Sequence, residues 1–334
     1  MSAVSAALLV AATATATFAL RTRAKTRERR SGVWTTKQYE HITQGLNKVC
    51  LMYGTYRSLT TLTAGALALH PQLQVLNHGL ETLAAEDDLN FLSNFSKSKV
   101  EKFLDAATRL SAQRTKGALG GSIAVSHAFA GRSVVGKRYS ARFGSRLLKE
   151  APTCLLWKES NRIVNALREM GPSALLQMFN QEPRLVILVV IRNPVHIMFS
   201  HLTSFDTHIR LLGVDPDAAT RNSVLDAVLE VFKEALDMQD ALGKNRVFIL
   251  HQSDFQDKDV LQQLEAFLGL PADTQWLQDA LASLVIRKPK YTCTSSVAQH
   301  YHSRIGELFK NRNSWLYNKL YQHIPKWHRE KLPP

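Results

Sequence analysis

The sequence predicts an α/β fold in three layers, with a central parallel sheet flanked by helices on both faces. Three observations predict it. The apolar stretches are continuous rather than alternating, RLVILVVI at 184–191 above all, as strands covered on both faces require. These short runs alternate with longer segments of helical periodicity, the order of βα units. The chain has 334 residues, 45% hydrophobic and 21% charged, which suffices for one large core.

The chain opens with an uncharged run, 2–20, rich in Ala, Thr, Val and Leu. Arg21, Arg23, Lys25, Arg27, Arg29 and Arg30 follow it. The run is close to the minimum length that spans a bilayer, but Ala and Thr are weakly apolar. The basic residues come after the run, where a secretory signal would place them before it. Two readings of 1–45 stay open. One is a membrane anchor with contact through residues 2–20; the other is an organelle transit peptide.

KVCLMYG at 48–54 reads as the first strand and its exit, with a turn over 54–58. A helix over 60–69 ends at His70-Pro71, because proline blocks continuation. Leu73 to Leu76 forms a second strand, with Asn77-His78-Gly79 as its exit turn. An amphipathic helix fits 99–110. The Gly-, Ser- and Arg-rich stretch 117–144, inside a wider region 111–150, reads as a lid-like insertion; a solvated basic face is the alternative. TCLLW at 153–157 is a third strand, followed by a helix over 161–170. The run 184–191 is the fourth strand and the expected sheet centre. Pro194 opens a helix to 202, since proline suits a first turn. A long amphipathic helix over 224–242 precedes a fifth strand, RVFIL at 246–250. A helix over 259–268 stops at Gly269 and Pro271. The organisation is then one domain over 46–300 and a helical tail over 301–334. Trp315, Tyr317, Tyr321 and Trp327 suggest that the tail packs on the core.

The net charge of +14 suits nucleic acid, anionic membranes, acidic polymers or phosphorylated small molecules. No zinc-finger spacing, RNA-binding aromatic signature or basic zipper occurs, which argues against nucleic acid. Three cysteines, Cys50, Cys154 and Cys293, form no CxxC pair, so no metal is expected.

Two segments carry chemistry. YGTYRSLTTL at 53–62 joins a buried strand to a helix, aiming backbone N–H groups and the positive helix end at an anion. Arg57 adds a fixed charge, and Ser58, Thr60 and Thr61 add hydroxyls. It lacks the GxxxxGK[ST] pattern, so magnesium-nucleotide chemistry is poorly supported. The second segment is Ile191-Arg192-Asn193-Pro194, followed by Ser200. It stands at the carboxyl end of the strongest strand, the edge where open α/β sheets bind ligands. Arg192 offers a bidentate fork suited to phosphate.

Together the two segments resemble the PAPS-dependent sulfotransferases, enzymes that use 3'-phosphoadenosine-5'-phosphosulfate (PAPS). RSLTTL at 57–62 is similar to that family's 5'-phosphosulfate loop. VIRNPVHIMFSHL at 190–202 is similar to its 3'-phosphate segment, with Arg and Ser eight apart. LWKES at 156–160 resembles the strand end that supplies an active-site Lys. HQSDF and LEAFLGLP, the latter at 264–271, resemble the strand-loop-helix of its C-terminal half. Arg287-Lys288-Pro289 resembles a basic loop over the 3'-phosphate. The match runs in family order from about 48 to 294.

The resemblance implies a P-loop nucleotide-hydrolase-like sulfotransferase fold and transfer of a sulfuryl group from PAPS to an acceptor hydroxyl, without a metal. It implies that Arg57, Ser58, Leu59, Thr60 and Thr61 line the 5'-phosphosulfate. Arg192 and Ser200, with Arg287 and Lys288, would hold the 3'-phosphate. Lys158 would stabilise the departing oxygen. The chain departs from the family at Leu59, where Gly is usual, and at Ser160, where cytosolic members carry a His. His251-Gln252 replaces an expected Tyr-Glu. For the base, His78 comes first, then Glu81, then Glu159. The basic 111–150 region favours a carbohydrate or other polar acceptor. The rivals are a different P-loop enzyme, such as a small-molecule kinase, and a non-catalytic nucleotide-binding protein of the same fold.

Overall fold

The computed structural model describes residues 35–130, 133–204, 206–285 and 293–330. The segment 2–20, its basic linker, Arg287 and Lys288 lie outside the described residues. Among the described residues, no helix is long and apolar enough to cross a membrane. Ile42–Pro334 forms one compact unit; Met1–His41 is a second, described only from residue 35.

The larger unit holds a six-stranded sheet. Its strands are β1 Lys48–Tyr53, β2 Leu73–Asn77, β3 Gly121–Ser122, β4 Cys154–Lys158, β5 Leu185–Ile191 and β6 Val247–His251. Their order is β3-β2-β4-β1-β5-β6. All neighbours run parallel except β2 and β3. The five parallel strands match the five expected, with ends shifted by one residue. The antiparallel edge was not foreseen, because a two-residue strand leaves no pattern.

The fold has three layers because every long strand is buried on both sides. Val49, Leu51 and Tyr53 face one apolar cluster, and Cys50 and Met52 face another. Helices Lys97–Ser111, Asn161–Met170 and Arg221–Leu242 cover the first face. Helices Thr60–Leu67, Lys258–Phe267 and Thr274–Ser283 cover the second. Each fully buried Leu, Ile or Val contributes about 1.5–3 kcal/mol.

The tail is part of this core. In helices Ser295–Phe309 and Ser314–Tyr321, Tyr301, Ile305, Phe309, Leu316 and Leu320 are buried in the first cluster. Tyr317 and Tyr321 pack against it, whereas Trp315 and Trp327 are exposed. Aliphatic residues at helical spacing, rather than the two tryptophans, dock the tail.

The described residues of 111–150 form several short elements. They include the 3-10 turn Gly117–Leu119, then β3, then two more 3-10 turns, Ile123–Val125 and His127–Phe129, and helix Val134–Phe143. Ser133 caps that helix by accepting from the Gly136 amide at 3.0 Å. Phe129 and Phe143 both pack on Tyr139. Gly120 sits where a Cβ would lie 2.6 Å from the Gly79 Cα, so only glycine fits that crossing. Lys137, Arg138 and Ser140 dilute the apolar period of the helix, which hides it in the sequence.

Topology opens a crevice at one edge. From β1 the chain leads to β2, on one side of it; from β5 it leads to β6, on the other. Helix Thr60–Leu67, after β1, lies on the second face. Helix Pro194–Leu202, after β5, lies on the first. The connections part at the carboxyl ends of β1 and β5, which is where such sheets take ligands.

Candidate functional site

The loop after β1 runs into the Thr60–Leu67 helix through two left-handed residues, Arg57 (φ 69°) and Leu59 (φ 67°). Leu59 therefore keeps the conformation that glycine would adopt freely, at a steric cost of roughly 1–2 kcal/mol. The departure from the family pattern changes the residue and leaves a glycine-type turn in place.

Both neighbouring strands stitch this loop down. On the β4 side, the Tyr56 amide donates to Asn161 Oδ1, and Thr60 Oγ1 pairs with Ser160 Oγ at 2.8 Å. On the β5 side, His201 Nε2 meets the Tyr56 carbonyl at 3.1 Å. Burial pushes the His201 imidazole down to about 4, so at neutral pH its ring N–H donates to that carbonyl. Arg192 Nη1 donates to the Arg57 carbonyl at 3.0 Å. Ser58 is buried and its hydroxyl pairs with Thr55 at 2.5 Å. The hydroxyls of Ser58 and Thr60 thus hold the loop together, and Thr61 is half-buried in the first helical turn.

Arg57 is exposed and donates from Nη2 to Ser204 Oγ at 2.7 Å. Ser204 in turn donates to the carbonyl of Ser200. Arg57, Arg192 and Ser200 therefore stand around one crevice, between the ends of β1 and β5. Asn193 caps the following helix through Val195 and His196. Its amide donates to Gln252 Oε1 at 3.2 Å, tying β5 to β6. Burial, then the charge of Arg192, depresses His196 to about 4.

The third cation stands one strand away. Lys158 is the last residue of β4, paired in register with Met52 of β1 and Asn77 of β2. It is 2% exposed, and burial lowers its ammonium to about 8, with Glu159 pulling the other way. Its Nζ lies 3.2 Å from His78 Nε2. His78 is itself left-handed (φ 63°). Its amide donates to the Lys158 carbonyl at 2.8 Å, and its carbonyl accepts from Trp157 Nε1 at 3.2 Å. Glu159 is fully buried behind this pair. Glu81 is bound to Arg162 at 2.6 Å and faces that guanidinium.

Sequence reasoning missed four residues here. Asn161, Ser160 and His201 shape the β1 loop, and only their side-chain contacts mark them out. His127, on the 3-10 turn of the 111–150 region, is the fourth. Its imidazole is lowered by burial, then by the charges of Lys158, Arg57 and His78, so it stands near all three. A lone histidine in a Gly/Ser-rich stretch carries no signal of that kind.

No family model and no curated protein matches the sequence. Solved structures do resemble it. A mouse sulfotransferase complexed with PAP is 10% identical, with a TM-score of 0.40 over 86% of this chain and 93% of that one. A sulfotransferase from Mycobacterium avium is 12% identical, with a TM-score of 0.36 over 81% of each chain. The sulfotransferase domain of the Synechococcus PCC 7002 olefin synthase is 14% identical, with a TM-score of 0.35 over 71% of this chain and 79% of that domain.

All three are sulfotransferases.

At these TM-scores the likeness carries no argument, and the chemistry of the present chain rests on its own side chains. Three cations, Arg57, Lys158 and Arg192, stand at the carboxyl ends of three adjacent strands, β1, β4 and β5. The Lys158 ammonium is buried and its hydrogen-bonding neighbour is an imidazole. A desolvated cation beside an open anion-binding loop fits a polyanionic ligand. Among the described residues no cluster of His, Cys, Asp and Glu is arranged to hold a metal ion.

Proposed function

We propose that the chain is a sulfotransferase that moves a sulfuryl group from PAPS to an acceptor hydroxyl. The observation that carries this reading is the Lys158–His78 contact at 3.2 Å, one strand from the Arg57–Arg192 crevice. It supplies a buried cation and a base near the loop that follows β1.

The roles follow from position. The loop amides before Thr60 and the Arg57 guanidinium bind the 5'-phosphosulfate. Arg192 and Ser200 bind the 3'-phosphate, joined by Arg287 and Lys288. Leu59 sets the turn that presents the amides. Lys158 neutralises charge on the phosphate oxygen as the sulfur–oxygen bond breaks. Sulfuryl transfer, like phosphoryl transfer, gathers charge on peripheral oxygens, so positioned cations supply most of the catalysis. His78 takes the proton of the attacking hydroxyl. The exposed Arg114, Lys116 and Lys137 of the 111–150 region favour a carbohydrate or other polar acceptor.

The test is turnover of labelled PAPS against pooled hydroxyl acceptors, beside calorimetry with adenosine 3',5'-bisphosphate. Binding with turnover supports the proposal. Binding without turnover makes the chain a non-catalytic nucleotide-binding protein. No binding by either ligand defeats the reading.

A further inference from the structure

Glu159 has no part in the roles above, yet its placement is specific. It is fully buried and follows Lys158 at the end of β4. Oε2 accepts from the Leu80 amide at 3.4 Å. Oε1 closes no hydrogen bond; it stands 3.6 Å from His78 Nδ1 and 3.8 Å from Arg162 Nε. Arg162 is already bound to Glu81 at 2.6 Å. A buried carboxylate oxygen without a donor is costly, and the Nδ1–H of His78 is the group a slight ring shift would bring to it.

The other side of the ring fixes the tautomer. An ammonium donates and never accepts, so Nε2, at 3.2 Å from Lys158 Nζ, accepts from the charged lysine. The ring proton then sits on Nδ1, facing Glu159. The backbone keeps it there, since His78 is held to β4 through both its amide and its carbonyl.

We propose that Glu159 is a positioning residue that locks His78 in the Nδ1–H tautomer and leaves Nε2 as the proton-accepting atom. This rests on the reading of His78 as the base. Lys158 occupies Nε2 until an anionic donor draws it away, so His78 is released for chemistry only with the donor in place. The acceptor oxygen then bonds to sulfur and its proton passes to Nε2. The bond from sulfur to the phosphate oxygen breaks, and its electron pair stays on that oxygen beside Lys158. Glu159 stabilises the imidazolium that results, as a buried carboxylate does in a Ser-His-Asp triad.

The decisive variant is Glu159→Gln. The Leu80 amide needs an acceptor, so the glutamine oxygen stays with it and the –NH2 turns to His78. That donor forces Nδ1 to accept and, in a Lys158→Met background where no ammonium faces Nε2, moves the ring proton to Nε2. The tautomer is read by long-range ¹⁵N–¹H correlation on the full chain with labelled histidine, with His78→Asn assigning the signal. The wild type should show a protonated Nδ1; in the Lys158→Met background Glu159→Gln should show a protonated Nε2, and Glu159→Asp the wild-type pattern. Turnover of labelled PAPS should fall roughly 100-fold in Glu159→Gln and recover in part in Glu159→Asp. A wild type protonated at Nε2 overturns the proposal with no variant needed. So does an unchanged tautomer when Glu159→Gln is added to Lys158→Met. A tautomer that flips there, when the wild type turns over no PAPS, supports the positioning role and sinks the sulfotransferase reading instead.

Discussion

Arg192 donates from Nη1 to the carbonyl oxygen of Arg57 across 3.0 Å, linking the loops after β5 and β1. The Arg192 guanidinium is thereby anchored to the backbone of the β1 loop that carries the Arg57 side chain. Arg192→Ala should weaken binding of adenosine 3',5'-bisphosphate by about 1.5–3 kcal/mol, the worth of a hydrogen bond to a charged group. Calorimetry reads this as a dissociation constant raised roughly 10- to 100-fold. An unchanged constant would remove Arg192 from the binding site.

Lys158 sets a pH limit. Burial lowers its ammonium to about 8, and only the charged form neutralises a leaving oxygen. The kcat/KM for PAPS should therefore fall as pH rises through about 8. At saturating PAPS the falling limb should move to higher pH, because a bound anion favours the charged amine. Lys158→Ala should lose most turnover while nucleotide affinity changes little. A mutant with full turnover would strip Lys158 of its role.

Leu59 inverts an ordinary helix rule. Its φ of 67° is strained for any residue with a Cβ. Leu59→Gly and Leu59→Ala lose nearly the same side chain, but only glycine relieves the backbone. Leu59→Gly should be more stable than Leu59→Ala by about 1 kcal/mol in urea denaturation. The opposite order would mean that Leu59 is not left-handed in solution.

Besides its aliphatic residues, the tail meets the core through two imidazoles, His251 buried and His323 half-buried. His251 Nε2 lies 3.0 Å from His323 Nε2, at the end of β6. Burial pushes both down to about 3, helped by Lys319 at His251 and by the neighbouring imidazoles of His251 and His196 at His323. The unfolded chain therefore binds protons below about 6.5 that the folded chain refuses. Stability should fall as pH drops from 6.5 toward 3, by about 2 kcal/mol per histidine at pH 5. His323→Leu should make this dependence shallower between pH 7 and 5 in urea titrations, with His251, His196 and His201 carrying the remainder. An equally steep loss in that variant would count against the buried pair as its source. The pair also accounts for His251-Gln252 where the family has another pair: His251 meets the tail, and Gln252 ties to Asn193.

The sequence by itself determined the layers and the strands. Continuous apolar runs such as 185–191 bury on both faces whatever surrounds them, and the Pro, Gly and Asn residues at their ends set the boundaries. It also marked Arg57, Lys158 and Arg192, because cations at strand ends stand out against apolar neighbours. Strand order, and with it the crevice, came from tertiary packing. Which strands become neighbours depends on which helix covers which face, and local propensity does not encode that. The roles of Asn161, His201, His127 and Glu159 were likewise decided in space. Each is an ordinary polar residue in its own segment, and only the approach of distant backbone and charge gives it a partner.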